Sequence, residues 1–158
     1  MAAVMHGALA DLDRWEPGDR CSISRALDVV GTRTAILILR ESYYGTTRFD
    51  GFARRVGISD AVASARLRAL VDEGLLAKRP YQEPGQRTRH EYTLTPKGTA
   101  LMPVVFGLMQ WGDTYLQGDG GPMQLLADDT GEPLTVAVST EQGRRVPLDE
   151  VRVTQRHP

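Results

Sequence analysis

Cysteine is almost missing from this chain: Cys21 is the only one in 158 residues. No intrachain disulfide is therefore available, and no zinc site built on several thiolates. No apolar run approaches membrane-spanning length. The N-terminus has neither a basic start nor a sustained apolar stretch, so no secretory signal is expected and a cytoplasmic location is. Signatures of catalysis are absent too. His6, His90 and His157 lie far apart in sequence. No glycine loop leads into a lysine in the phosphate-binding pattern, and no Gly-x-Ser-x-Gly elbow occurs. The expectation is a protein that is not an enzyme and that needs no cofactor or metal. Internal repeats and low-complexity tracts are also lacking.

What is present fits a soluble globular protein, with 41% hydrophobic and 25% charged residues. The length suggests one domain with appendages. The net charge of −1 hides an asymmetry. Between Arg48 and Lys97 there are ten Lys/Arg against six Asp/Glu, a local balance of +4, while the remainder nets −5. A local positive field, not the whole-chain charge, attracts phosphates.

The stretch Gly57 to Leu76 organises the rest. Ser59 fits an N-cap and Gly74 a helix stop. Ala63, Leu67, Leu70 and Val71 recur at helical spacing on one face. The opposite face carries Ala61, Val62, Ala65, Arg66, Arg68 and Ala69. Small side chains around long donors suit a helix that must approach a flat partner closely. Before it, Phe49 to Val56 reads as a short helix with Phe49, Phe52 and Val56 inward, and Gly57 turns the chain. Short helix, turn and longer helix make a helix-turn-helix.

After Gly74, Leu75 to Tyr81 is strand-compatible, Pro84-Gly85-Gln86 is a turn, and Arg89 to Leu94 is a returning strand. A hairpin with a basic loop in that position defines a winged helix. Upstream, Cys21 to Val30 is expected to be a helix with Ile23, Ala26, Leu27 and Val30 inward. Thr34 to Tyr43 is expected to be a buried helix, with Gly45 ending it. Ala8 to Trp15 is a short helical possibility. Its shared face of Leu9, Leu12 and Trp15 would pack on a partner subunit or on the core, or the segment would fray.

Downstream, Thr95-Pro96 opens a helix that should run to about Leu116, with Pro103 positioned to bend it. Its apolar stripe includes Leu101, Val105, Leu108, Trp111 and Tyr115, wider than one small domain covers. A dimer interface is one reading; packing of its first turns on the wing is the other. Beyond Gly118, alternation at Leu134, Val136 and Val138, and again at Val146, Leu148, Val151 and Val153, predicts a small β appendage without a metal ligand set. The expected fold is mainly α with small β: a winged helix-turn-helix with flanking dimerisation helices. It divides into an arm (1–20), a DNA-binding and dimerisation domain (21–117) and a β-rich appendage (118–158).

Several segments, in order, carry a family pattern. They are Cys21, Ala26-Leu27-Asp28-Val29-Val30-Gly31, Ile38-Leu39-Arg40-Glu41, Gly45 and Arg48-Phe49. Gly57-Ile58-Ser59, Arg66-Leu67-Arg68-Ala69-Leu70, Asp72-Glu73-Gly74-Leu75, Glu91 to Gly98 and Trp111-Gly112 complete it. Across roughly 21–116 the chain resembles the HxlR-type branch of the MarR-like winged-helix transcriptional regulators. The resemblance implies a homodimeric, DNA-binding regulator. The chain departs from the pattern at Thr34, which is usually aromatic, at His90, usually apolar, and in the tail beyond Gly118, which is not general to the family.

The candidate DNA contacts are Arg48, Ser59, Ala61, Ser64, Ala65, Arg66 and Arg68, with Arg79, Arg87 and Arg89 on the wing. Arginine can bond guanine in a bidentate fashion or neutralise phosphate. Helix N-terminal amides favour phosphate near Ser59 and Ser64, and wing arginines can reach an adjacent minor groove. The partners expected are a roughly palindromic double-stranded operator, a second copy of the chain, and an oxidant or small-molecule effector. Cys21 has two open readings. The resemblance makes it a candidate redox sensor, and Arg20 and Arg25 nearby favour thiolate. Otherwise it is a small apolar structural residue. A winged helix used only as a protein-interaction module is the alternative function.

Overall fold

The computed structural model describes residues 4–11 and 20–154. Strand β1 (Val4–Met5) leads into a single 3-10 turn at Gly7–Ala10. Helix α1 spans Ser22–Val30, with Cys21 as its N-cap; the Cys21 Sγ accepts from the Ser24 amide at 3.5 Å. Helix α2 spans Arg33–Tyr43, and Thr32 Oγ1 accepts from the Ala35 amide at 3.2 Å. Its apolar run is a helix, as its length indicates, and Ala35, Ile38 and Leu39 are fully buried. Leu12 and Trp15 of the expected arm lie outside the described residues.

Helix α3 (Phe49–Val56) and helix α4 (Asp60–Asp72) follow, then strands β2 (Leu76–Tyr81) and β3 (Arg89–Leu94). The two strands are antiparallel, with Lys78 opposite Tyr92 and Pro80 opposite His90. The Tyr92 amide also donates to the Thr47 carbonyl at 2.8 Å, and Arg48 bridges Glu91. The link before α3 thus edges the wing as a third, minimal strand. One core joins these elements: Ile38, Leu39, Phe52, Val56, Leu67 and Leu70 pack with Leu75, Leu76, Met102 and Val105.

Three expectations change. The helix after Thr95 is not continuous: α5 (Pro96–Thr99) and α6 (Met102–Leu116) are separate. Pro103 has no N–H to give the Thr99 carbonyl, and the Leu101 and Val104 amides fall back on acceptors three residues earlier. Helix α1 does not bury its expected face. Val30 is buried, but Ile23 is 73% and Leu27 58% exposed, because α1 meets the core only through its carboxyl end. The tail holds less strand than its alternation promised. It makes isolated bridges at Leu126–Pro133 and Ser139–Arg145, a 3-10 turn at Leu148–Glu150, and a two-residue strand β4 (Arg152–Val153) parallel to β1. With no second apolar layer to cover it, alternation alone does not build a ribbon. Among the described residues, no helix is long and apolar enough to cross a membrane.

Candidate nucleic-acid interface

The turn between α3 and α4 is set by Gly57, the C-cap of α3, at φ 70°. That left-handed conformation costs glycine nothing and other residues about a kcal/mol or more. The Gly57 and Ile58 amides both donate to the Ala53 carbonyl at 3.0 Å, closing α3. Ser59 then opens α4, its hydroxyl accepting from the Val62 amide at 3.4 Å, and Asp60 places a carboxylate at the positive end. Phe52, Val56, Ala63 and Leu67 lock the pair together.

This packing decides which side chains of α4 face outward. Ser59, Ala61, Ser64, Ala65 and Arg68 are exposed, as are Val62 and Ala69. Arg66 is not on that outer face. It is half-buried at the edge of the packed side, and its Nε is buried without a hydrogen-bond partner among the described residues. The spacing explains it: Arg66 lies one turn from Leu70 and beside Ala63, both fully inside. Arg68 stands nearer the wing, close enough for its charge to act on the Tyr92 hydroxyl. Burial pushes the Tyr92 pKa up and Arg68 opposes that.

On the wing, Arg79, Arg87 and Arg89 are all exposed. Arg48 is engaged instead. Its guanidinium lies 3.3 Å from the centroid of the Tyr81 ring and 3.8 Å from the Glu83 carboxylate. It steadies the base of the wing, a task its place in the extended link did not reveal. His90 is exposed opposite Pro80, so it needs no apolar partner there. Thr34 is half-buried, with its hydroxyl 3.4 Å from that of Thr32.

Two supports were not read from sequence. The first is Glu41, a buried carboxylate bonded to Arg40 at 2.7 Å and to Arg55 on α3. Burial alone would raise its pKa; the hydrogen bonds and charges of Arg55 and Arg40 outweigh this and hold it below the usual range. An acid inside an apolar helical run, beside one arginine, is the signal that could have found it. The second is the Thr95-Pro96-Lys97-Gly98 turn. Thr95 Oγ1 donates to the Gly74 carbonyl at 2.6 Å and accepts from the Gly98 amide at 3.1 Å. Lys97 Nζ donates to the Glu73 carbonyl at 2.6 Å, capping the negative end of α4. The far end of α4 is therefore fastened to α5.

Of the residues expected at a dimer interface, the chain keeps some for itself. Val105 and Leu9 are buried and Leu101 is half-buried against the core. Leu108, Trp111 and Tyr115 remain exposed on α6, joined by Val104. Cys21 is half-buried at the start of α1.

Comparison with known proteins agrees with this architecture. Residues 29–119 match the model of the HxlR-like helix-turn-helix family. An HTH-type transcriptional regulator of Mycobacterium tuberculosis is 43% identical over 126 residues, covering 79% of this chain and 77% of its own. One from Synechocystis is 30% identical over 119 residues, covering 75% and 84%. Among solved structures, PA1607, described as a candidate transcription factor, superposes with a TM-score of 0.76 at 32% identity. It covers 89% of this chain and 98% of its own, so the match extends into the tail beyond Gly118. The redox regulator HypR in its reduced form gives a TM-score of 0.53 at 27% identity, covering 58% and 90%. The chain carries a winged helix-turn-helix whose sequence and geometry both match, and it belongs to the HxlR-like helix-turn-helix family of transcriptional regulators.

Proposed function

We propose that this chain is a homodimeric, sequence-specific repressor whose two α4 helices enter successive major grooves of a roughly palindromic operator. The observation that carries the reading is the outer face of α4: small residues Ala61, Ser64 and Ala65 with Arg68 at its edge, beside a wing bearing Arg79, Arg87 and Arg89. Small side chains allow the helix axis to come close to base edges, and the arginines supply the donors. The capped start of α4 adds unpaired amides for a phosphate. The exposed stripe on α6 is the surface through which two copies would pair.

The signal that controls binding is read at Cys21, or by a small molecule held near the dimer helices. For Cys21, the support is its half-buried seat at a helix N-cap and the likeness to a redox regulator. Oxidation would link it to the same residue of a second copy or to a small thiol.

A gel shift on the DNA upstream of the chain's own gene, with and without oxidant, tests the whole reading. The expected result is a retarded complex that Arg68→Ala weakens roughly tenfold, the size of one lost guanine contact. Oxidant should release the complex from the native chain and not from Cys21→Ser. If no upstream or selected DNA competes better than random DNA, the chain is a protein-interaction winged helix instead.

A further inference from the structure

A cavity of about 280 Å³ opens between α2, α6 and the first residues of the tail. Ile36 and Leu37 on α2 and Leu108 and Met109 on α6 make its walls. The tail closes it. After α6 the Gly120 amide donates to the Gln117 carbonyl at 3.2 Å, and the chain doubles back. At Gly121 the backbone lies so close to α6 that a Cβ would collide with the Asp113 carboxylate. Pro122 and Met123 then line the cavity, beyond the segment shared with the family.

Three polar residues reach the same space: Arg40, Tyr44 and Asp113. Each keeps hydrogen-bonding capacity for something more. Arg40 bonds Glu41 through Nε and Nη2, and its Nη1 has no hydrogen bond among the described residues. The Tyr44 hydroxyl donates to the Met109 sulfur at 3.8 Å, a weak acceptor. One Asp113 oxygen accepts from Gln117 at 3.3 Å; the other has no such partner among the described residues. Gly112 lines the cavity too, and a Cβ there would meet nothing within 4 Å. A glycine inside a helix lowers stability relative to alanine. No neighbour among the described residues requires it, so its missing side chain leaves room for an occupant.

We infer that this cavity is a ligand site. It takes one uncharged, substituted ring with an acceptor oxygen at one end, for Arg40 and Tyr44, and a hydroxyl or N–H at the other, for Asp113. This rests on the small-molecule reading proposed above and gives that molecule a place and a chemistry. The volume lies just under the roughly 300–1,000 Å³ of drug-sized sites, which leaves room for a single ring. Arg40 and Asp113 have opposite charges, so a neutral ligand enters without burying a charge that nothing balances. Occupancy is felt at the DNA-binding unit. Arg40 shares the Glu41 carboxylate with Arg55, which stands one residue before the end of α3. A ligand that draws Arg40 toward the cavity loosens its bond to Glu41, and with it the tie that sets α3 against α2.

Isothermal titration of the full-length native chain with para-hydroxyacetophenone, a ketone and a phenol across one ring, tests the site without DNA. The expected result is saturable binding, weakened about fivefold in Tyr44→Phe, the size of one neutral hydrogen bond. Binding should be lost in Gly112→Leu, whose side chain fills the cavity. Circular dichroism should show Gly112→Leu melting no lower than the native chain, since leucine favours helix over glycine. The anion para-hydroxybenzoate should bind at least about tenfold more weakly than the ketone. In a gel shift, the ketone at saturation should weaken the DNA complex of the native chain at least about fivefold and leave that of Gly112→Leu unchanged. No binding to the native chain, or equal binding by all three chains, overturns the site. Equal or tighter binding of the anion overturns the uncharged ligand, and an undisturbed DNA complex overturns the link through Arg40. If Gly112→Leu breaks a native dimer in sedimentation equilibrium and the native chain takes up no ketone, a second copy fills the cavity and the proposal falls. If the native chain selects no DNA, the repressor reading fails while the titration still decides the site.

Discussion

Glu41 is a carboxylate set into an apolar helix face and kept there by guanidiniums from α2 and α3. Its pKa is held down in the folded chain, so its contribution is complete above the ordinary glutamate range and is lost as pH falls through the folded value. Thermal unfolding of Glu41→Gln should show about 2 kcal/mol less stability at neutral pH, below the ~3–5 of a fully buried pair because both arginines reach solvent. The difference from the native chain should shrink below about pH 4, near the ordinary glutamate pKa. Gly98 makes a second residue-scale case. A Cβ there would press into the Leu75 carbonyl oxygen, which is backbone in the link between α4 and β2 and does not yield easily. Gly98→Ala should cost about 3 kcal/mol in denaturant midpoint analysis, far more than a glycine-to-alanine change at a helical site without such contact. Both residues depend on partners that are distant in sequence. Glu41 depends on Arg55, which lies fourteen positions away and comes near only when α3 folds back on α2. Gly98 depends on a carbonyl twenty-three residues earlier.

At the scale of elements, local rules carried most of the fold. Ser59, Gly57, Gly74 and Thr95-Pro96 mark helix ends through hydrogen bonds within a few residues, so α3, α4 and the wing strands are legible from the chain alone. Periodicity also placed Ala63, Leu67 and Leu70 inside. It failed where a face finds no cover among the described residues: Ile23 and Leu27 on α1 pattern as core and stand open. It blurred at the edge of a face, where Arg66 turned out half-buried and Arg68 exposed. The setting of Arg48 was not legible, because Tyr81 and Glu83, which lie beside it, come from the wing. The wing itself offers a clean test. Arg87 and Arg89 are exposed, and if both meet phosphates, replacing both with alanine should reduce the slope of log affinity against log salt by about one to two. Fluorescence anisotropy across a salt series measures this. A parallel shift with unchanged slope would mean that the wing does not meet the backbone.

For the whole molecule, the pieces form a reading head and its mount. Helix α4 is fixed at its start by Ser59, along its length by the core, and at its end by Lys97 and Thr95. Glu41 ties the preceding helix to α2, and α6 carries the open stripe on the other side. A rigid mount matters because two heads must hold a fixed separation to read two half-sites at once. With only Arg68 fully exposed among the long donors of α4, affinity should depend strongly on pairing and on the wing. In-vitro selection from random double-stranded DNA, using the full-length native chain, tests this most directly. The account predicts enrichment of an inverted repeat with half-site centres about 10 base pairs apart, one turn of the duplex. Recovery of no enriched sequence, or of a single asymmetric site bound by one copy, would contradict it.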